Sequence, residues 1–248
     1  MALTDNLVAY YKLDESSGNA SSSVGSYTLT NTGTASYSSA KINNGIDFGT
    51  TNTTKWLNYL SGNLGITGGA CTISGWIKLN TEIASGNWDL INQSSTTNRV
   101  WQYIEYEYNG GSRRLGFYRD KGGVGAQGPT YTITLGTSTW YYITYTYDGT
   151  NVRGYVNGSL VAGPTAASGN GSANATNGFS IGDRIFLGGA LGNKASSIQD
   201  ETGLWSRALS DSEISELYNS GAGLAYDFSG GGGGGSSTPT QMLMGIGT

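Results

Sequence analysis

The chain has 248 residues, a net charge of −4, only 12% charged residues, 41 glycines and no histidine. That length supports one sizeable core, and β-branched and aromatic runs punctuated by small turn residues point to an all-β domain. Sparse Lys and Arg leave no basic stripe for nucleic acid. No apolar run reaches membrane-spanning length, and the absence of histidine removes the commonest general base and zinc ligand.

In chain order, the N-terminal Met-Ala-Leu-Thr-Asp has neither the basic region nor the apolar core of a standard export signal. Cys71 is the single cysteine, so it forms no internal disulfide, and beside Thr72 and Ile73 it reads as a small buried hydrophobe. Trp101-Gln102-Tyr103-Ile104-Glu105-Tyr106-Glu107-Tyr108 reads as a strand in which Glu105 and Glu107 share a face. Tyr141, Ile143, Tyr145 and Tyr147 alternate with Tyr142, Thr144 and Thr146, the pattern of a half-buried strand. Asp148-Gly149 and Asn157-Gly158 are hairpin signals.

Near the C-terminus, Ser210 and Glu213 form a capping box ahead of a short helix over 211–219. Its apolar face is Ile214, Leu217 and Tyr218, and Gly221 and Gly223 stop it. Residues 1–228 thus form one domain. The segment 229–248 differs: Gly230 to Gly235 make a flexible linker, and Met242, Leu243, Met244 and Ile246 give it an apolar tip suited to an assembly contact with a neighbouring subunit. A homo-oligomer is the expected consequence.

Several segments carry a family resemblance. Leu7 through Gly18 forms an opening strand and turn, followed by Gly45-Ile46-Asp47-Phe48 and Thr72-Ile73-Ser74-Gly75-Trp76-Ile77-Lys78. Trp140 through Gly158 supplies a central hairpin, and Ile198-Gln199-Asp200-Glu201, running into Trp205-Ser206-Arg207-Ala208-Leu209-Ser210, closes the pattern. Together these resemble laminin-G-like domains of the concanavalin-A-like lectin and glucanase group. The resemblance implies an all-β, antiparallel two-sheet jelly-roll sandwich with one short C-terminal helix. For function it points several ways, because lectins, adhesins, glycosidases and virion proteins share this fold.

Three groups of residues are candidates for chemistry. Glu105 and Glu107 resemble part of the E-x-D-x-E set of the group's glucanases, but Asn109 and Gly110 stand where a third carboxylate belongs. A polar strand face is the alternative, and an enzyme is not expected. Asp200 and Glu201 are adjacent on a strand, so one is expected to face in and the other out. Asp200 corresponds to an acid that helps hold a structural Ca²⁺ in such jelly rolls, with partners from the turn 20–25; that turn lacks the family's aspartate, and a hydrogen-bonded structural acid is the alternative. Seventeen tyrosines exceed what one core needs. Tyr103, Tyr106, Tyr108 and Tyr118 therefore divide between core packing and a glycan surface, where rings stack on sugar C–H faces beside Glu105 and Glu107.

The expected function is a non-enzymatic structural or binding module on a virion surface, that of a bacteriophage, made in the host cytoplasm. It decorates a capsid or belongs to a tail or fibre, contacts other virion or self subunits through 229–248, and touches host glycans. The alternatives are a secreted or cell-surface lectin or adhesin, and a degenerate glycoside hydrolase.

Overall fold

Strands that alternate apolar and polar residues leave a sheet with one apolar face, which must be buried against another layer. The computed structural model solves this with two antiparallel sheets stacked face to face; it describes residues 1–50, 54–95, 100–121, 125–167, 178–186, 189–190 and 193–228. The expected contact segment with Met242, Leu243, Met244 and Ile246 lies outside the described residues.

The first sheet runs, in spatial order, Ser159–Ala166, Asn151–Val156, Tyr141–Tyr147, Cys71–Leu79, Ser197–Trp205, Asn44–Asp47 and Ser36–Ser39, with Leu7–Tyr11 also paired to Ser197–Trp205. The second runs Thr130–Thr132, Ser112–Lys121, Val100–Asn109, Gly86–Ser95, Gly178–Ile181, Trp56–Tyr59, Thr28–Thr32 and Ala20–Ser21. Spatial neighbours far apart in the sequence, such as Cys71–Leu79 beside Ser197–Trp205, mark the crossovers of a jelly roll. Between the sheets, Ile73, Ile77, Ile143 and Leu204 meet Leu57, Ile91, Ile104 and Phe179 in the main core. Cys71 is buried there and donates its S–H to Gln102 Oε1 at 3.0 Å.

The hairpin signals act as read. Val156 pairs with Ser159, and Asn157 and Gly158 both adopt positive φ, 51° and 77°, which only a primed turn needs and which Gly tolerates best. The strand Tyr141–Tyr147 departs from expectation: both of its faces are buried, not one. The reason is a second apolar layer outside the first sheet. Trp76, Tyr142, Tyr155, Tyr10 and Trp205 face outward and are covered by Leu209, Ile214, Leu217 and Leu224.

The helix Asp211–Tyr218 supplies Ile214 and Leu217 to that cover, and Leu209 and Leu224 flank it. Its capping box is complete, with Glu213 N donating to Ser210 Oγ at 3.3 Å and Ser210 N to Glu213 Oε2 at 2.8 Å. Arg207 clamps the same carboxylate from two nitrogens, at 2.8 and 2.7 Å. Asn219 ends the helix in the left-handed region, two residues before the first of the expected glycine stops. Its side-chain amide then donates to Gly223 O at 2.9 Å.

Candidate functional site

Strand parity decides which of the candidate residues meet. In Val100–Asn109, Gln102, Ile104 and Tyr106 point between the sheets, and Trp101, Tyr103, Glu105 and Glu107 point out. Tyr106 is fully buried and its hydroxyl accepts Leu135 N at 3.0 Å. Tyr108 packs at the rim of the same core, with the Arg113 guanidinium 5.2 Å from its ring centre. Of the six residues singled out on this sheet, the outer face therefore unites four: Tyr103, Glu105, Glu107 and Tyr118.

The ladder fixes their neighbours, because directly paired residues share a face. Tyr103 sits opposite Tyr118 on one side and Asn92 on the other. Glu105 sits opposite Gly116 and Asp89, and Glu107 opposite Arg114 and Asn87. A β-bulge between Asp89 and Ile91 turns both Leu90 and Ile91 into the core and leaves Asp89 outward. Gly116 is required here: the Tyr118 ring lies where any Cβ at that position would go.

This face has a shallow end and a deep end. At the shallow end Glu107 accepts the Tyr118 hydroxyl at 2.6 Å and Arg114 Nη2 at 3.0 Å, and Tyr118, Arg114 and Asn87 are half-buried. Tyr103 and Tyr118 have ring centres 5.5 Å apart and, with Trp101, form a small aromatic cluster. At the deep end Asp89 and Glu105 are buried beneath Arg184, whose Nε is 3.5 Å from Asp89 and whose Nη1 is 3.7 Å from Glu105. The same guanidinium lies 4.3 Å from the Tyr103 ring centre. Lys194, 3.2 Å from Asp183, adds a second buried ion pair and stacks near Trp56.

One guanidinium serving two carboxyl groups leaves their charges incompletely balanced. Burial pushes the pKa of both Asp89 and Glu105 upward and Arg184 opposes this; the charge of Glu105 raises Asp89 further, and that of Glu107 raises Glu105. The pair can therefore retain a proton, which lets it donate as well as accept hydrogen bonds.

The sequence reading missed Asp89, Asp183, Arg184 and Lys194. Asp89 had one legible signal, an acid between Trp88 and Leu90 in a strand; the other three lie on a connection without periodicity.

Asp200 lies elsewhere, on the first sheet. Its Oδ2 accepts Ile42 N and its Oδ1 accepts Glu201 N, each at 2.8 Å. The expected in-and-out arrangement of Asp200 and Glu201 gives way to a bulge, with Glu201 at φ 48°, that places both acids on the side of Tyr10 and Trp76. In the 20–25 turn, Ser22 Oγ is occupied by Tyr10 and Val24 backbone groups. Among the described residues no three His, Cys, Asp or Glu side chains are grouped to hold a metal.

A family model described as the concanavalin A-like lectin/glucanases superfamily matches residues 43–215. A comparison with curated proteins gives no significant match. Among solved structures, the binding domain of botulinum neurotoxin DC in complex with SialylT aligns over 88% of this chain and 52% of its own, at 14% identity and TM-score 0.63. Domain 4 of the extracellular arabinanase AbnA from Geobacillus stearothermophilus, in complex with arabinotriose, aligns over 86% of this chain and 98% of its own, at 18% identity and TM-score 0.57. Trypanosoma rangeli sialidase aligns over 87% of this chain at 14% identity and TM-score 0.60. The chain spans 32% of that sialidase chain, so these likenesses concern the fold. With the matched segment covering most of the strands and the helix, the chain belongs to the concanavalin A-like lectin/glucanases superfamily.

Proposed function

We propose that the chain is a non-enzymatic carbohydrate-recognition module whose ligand docks at the shallow end of the outer face, against Tyr118, Glu107, Arg114 and Asn87. The observation that carries this reading is the pre-set geometry of Glu107, held by Tyr118 and Arg114 beside an aromatic cluster. An aromatic ring packs on the apolar face of a sugar, and fixed carboxylate and amide groups bind its hydroxyls at little ordering cost. Fold relatives solved with SialylT and arabinotriose support the ligand class. The absence of enzymatic activity is supported by the chemistry of the acids: Asp89 and Glu105 are engaged by Arg184, and Glu107 by Tyr118 and Arg114.

The test is a glycan array followed by calorimetry on the best binder. Tyr118→Ala and Glu107→Gln are each expected to weaken binding at least tenfold. An array on which no glycan is retained would overturn the proposal.

Asp89 favours a second reading, a degenerate glycoside hydrolase, because it brings a third carboxylate to Glu105 and Glu107 from the adjacent strand. Turnover of laminarin, agarose or arabinan that vanishes in Glu105→Gln would establish it. Placement on a virion belongs to the main proposal and is supported by the composition of 229–248 alone. Loss of particle co-sedimentation on deleting residues 236–248 would test that placement.

A further inference from the structure

A cleft of about 400 Å³ opens at the opposite margin of the sandwich, between the turn 16–19 and the crossing 34–37. Here the chain leaves the second sheet at Thr32 and enters the first at Ser36. Four strand steps separate Thr28–Thr32 from Val100–Asn109, which is roughly 19 Å at strand spacing. The cleft and the Tyr118 face are therefore separate sites.

Its walls are fixed without any ligand. Asn31 Nδ2 donates to Gly18 O at 3.0 Å and to Ala35 O at 2.8 Å, and Asn31 Oδ1 accepts Ala35 N at 2.8 Å. Asn31 N donates to Asn19 Oδ1 at 3.0 Å, and the Tyr37 hydroxyl donates to Gly18 O at 3.2 Å. One amide and one phenol thus tie both walls together. The hydroxyls of Ser16, Ser17, Thr34 and Ser36 line the same cleft and, among the described residues, make no hydrogen bond to protein. The half-buried Tyr37 ring completes the lining.

This chemistry selects a ligand class. Each free hydroxyl both donates and accepts, which matches a sugar hydroxyl and not a purely accepting anion. No charged side chain lines the cleft, and Glu15, whose charge is felt at Tyr37, disfavours an anion. A pre-formed wall with an aromatic ring costs little ordering on binding.

We propose that this cleft is a second saccharide site that takes a neutral sugar. It rests on the carbohydrate-recognition reading above, and it extends that reading to a bivalent module. The two sites can be followed separately by NMR, through the side-chain amides of Asn19 and Asn31 and through the Trp101 indole. Arabinotriose, lactose and chitotriose serve as neutral probes, and trigalacturonate as the anionic one.

The expected result is that a neutral probe shifts the Asn19 and Asn31 amides. Ser17→Trp, from one wall, and Ser36→Trp, from the other, should each abolish those shifts, and the native amide dispersion of each variant reports that it is folded. If Trp101 responds while the two amides stay silent, the second site is overturned and the main reading stands. If neither responds to any probe, the second site is overturned and the glycan array decides the main reading. Shifts that persist in both tryptophan variants, or that trigalacturonate produces equally well, would also overturn the inference.

Discussion

Tyr118 donates its hydroxyl to Glu107 at 2.6 Å, across two neighbouring strands and along a diagonal of the ladder, since Glu107 is registered with Arg114. A hydrogen bond to a carboxylate is stronger than a neutral one, and here it also fixes the orientation of both groups. Tyr118→Phe keeps the ring and removes the bond. We predict a loss of about 1–2 kcal/mol in stability, together with a fall of roughly tenfold in affinity for the best glycan. Chemical denaturation and calorimetry measure the two effects. An unchanged affinity would show that the Glu107 geometry is structural only.

Among the described residues, Arg184 is the cation paired with both Asp89 and Glu105, which are buried. Its removal strands two carboxyl groups in a low-dielectric site, and breaking such a pair costs about 3–5 kcal/mol. Arg184→Met is predicted to fall in that range. Adding Asp89→Asn to the same variant should recover part of the loss, because one stranded acid is then gone. A double variant no more stable than the single one would contradict this account of the cluster.

Much of the fold was legible because it rests on local rules. The capping box at Ser210, the primed turn at Asn157-Gly158 and the shared face of Glu105 and Glu107 each depend on neighbours within a few residues. What was hidden depends on distant partners. No periodicity reveals that a helix from 211–218 will join the apolar layer over Tyr142, so a strand that looked half-buried is buried on both faces. Two irregularities also escaped. The bulges at Asp89 and at Glu201 each shift the parity of their strand, so one placed an unnoticed acid in the site and the other moved an expected inward or outward pair to one side. Arg184 and Lys194 lie outside regular strands that would have signalled their direction.

The helix Asp211–Tyr218 is held by its apolar face rather than by its length, since eight residues are too few for an isolated helix. Leu217 and Ile214 are buried against the outer layer of the first sheet. We predict that Leu217→Ala costs about 2–5 kcal/mol, the range for a buried leucine truncated to alanine. The midpoint of urea unfolding measures it. A change below about half a kcal/mol, the size expected of a surface substitution, would mean that the helix docks loosely.

Asp200 and Glu201 make the fold sensitive to alkaline pH. Both are buried, and burial pushes Asp200 up to about 8 and Glu201 up to about 7. Asp200 at least accepts two backbone amides, but among the described residues neither Glu201 oxygen meets hydrogen-bond geometry with a donor; the nearby Tyr10 hydroxyl donates instead to Leu224 O, at 3.3 Å. In the unfolded chain the two groups titrate near 4. Between roughly pH 4 and 8 the folded state therefore binds more protons than the unfolded state, and stability must fall as pH rises. The stabilising contribution is complete below the unfolded values and is lost through the folded ones. Glu213, held down to about 2 by Arg207 and Ser210 despite partial burial, acts in the opposite sense only at lower pH and stays outside this window. Asp89 and Glu105, also raised, push in the same direction as Glu201, so the contribution of Glu201 has to be isolated by difference. Glu201→Gln does this, since it cannot ionise. We predict that the variant matches or falls below the wild type at pH 4.5 and exceeds it at pH 8.5 by up to about 3 kcal/mol, the free energy of a rise to about 7. Urea unfolding at pH 4.5, 6.5 and 8.5 gives both curves. Parallel curves for the two proteins would show that Glu201 ionises in the folded state as readily as in the unfolded chain, and that a donor or cation reaches it under the Tyr10 and Tyr142 layer.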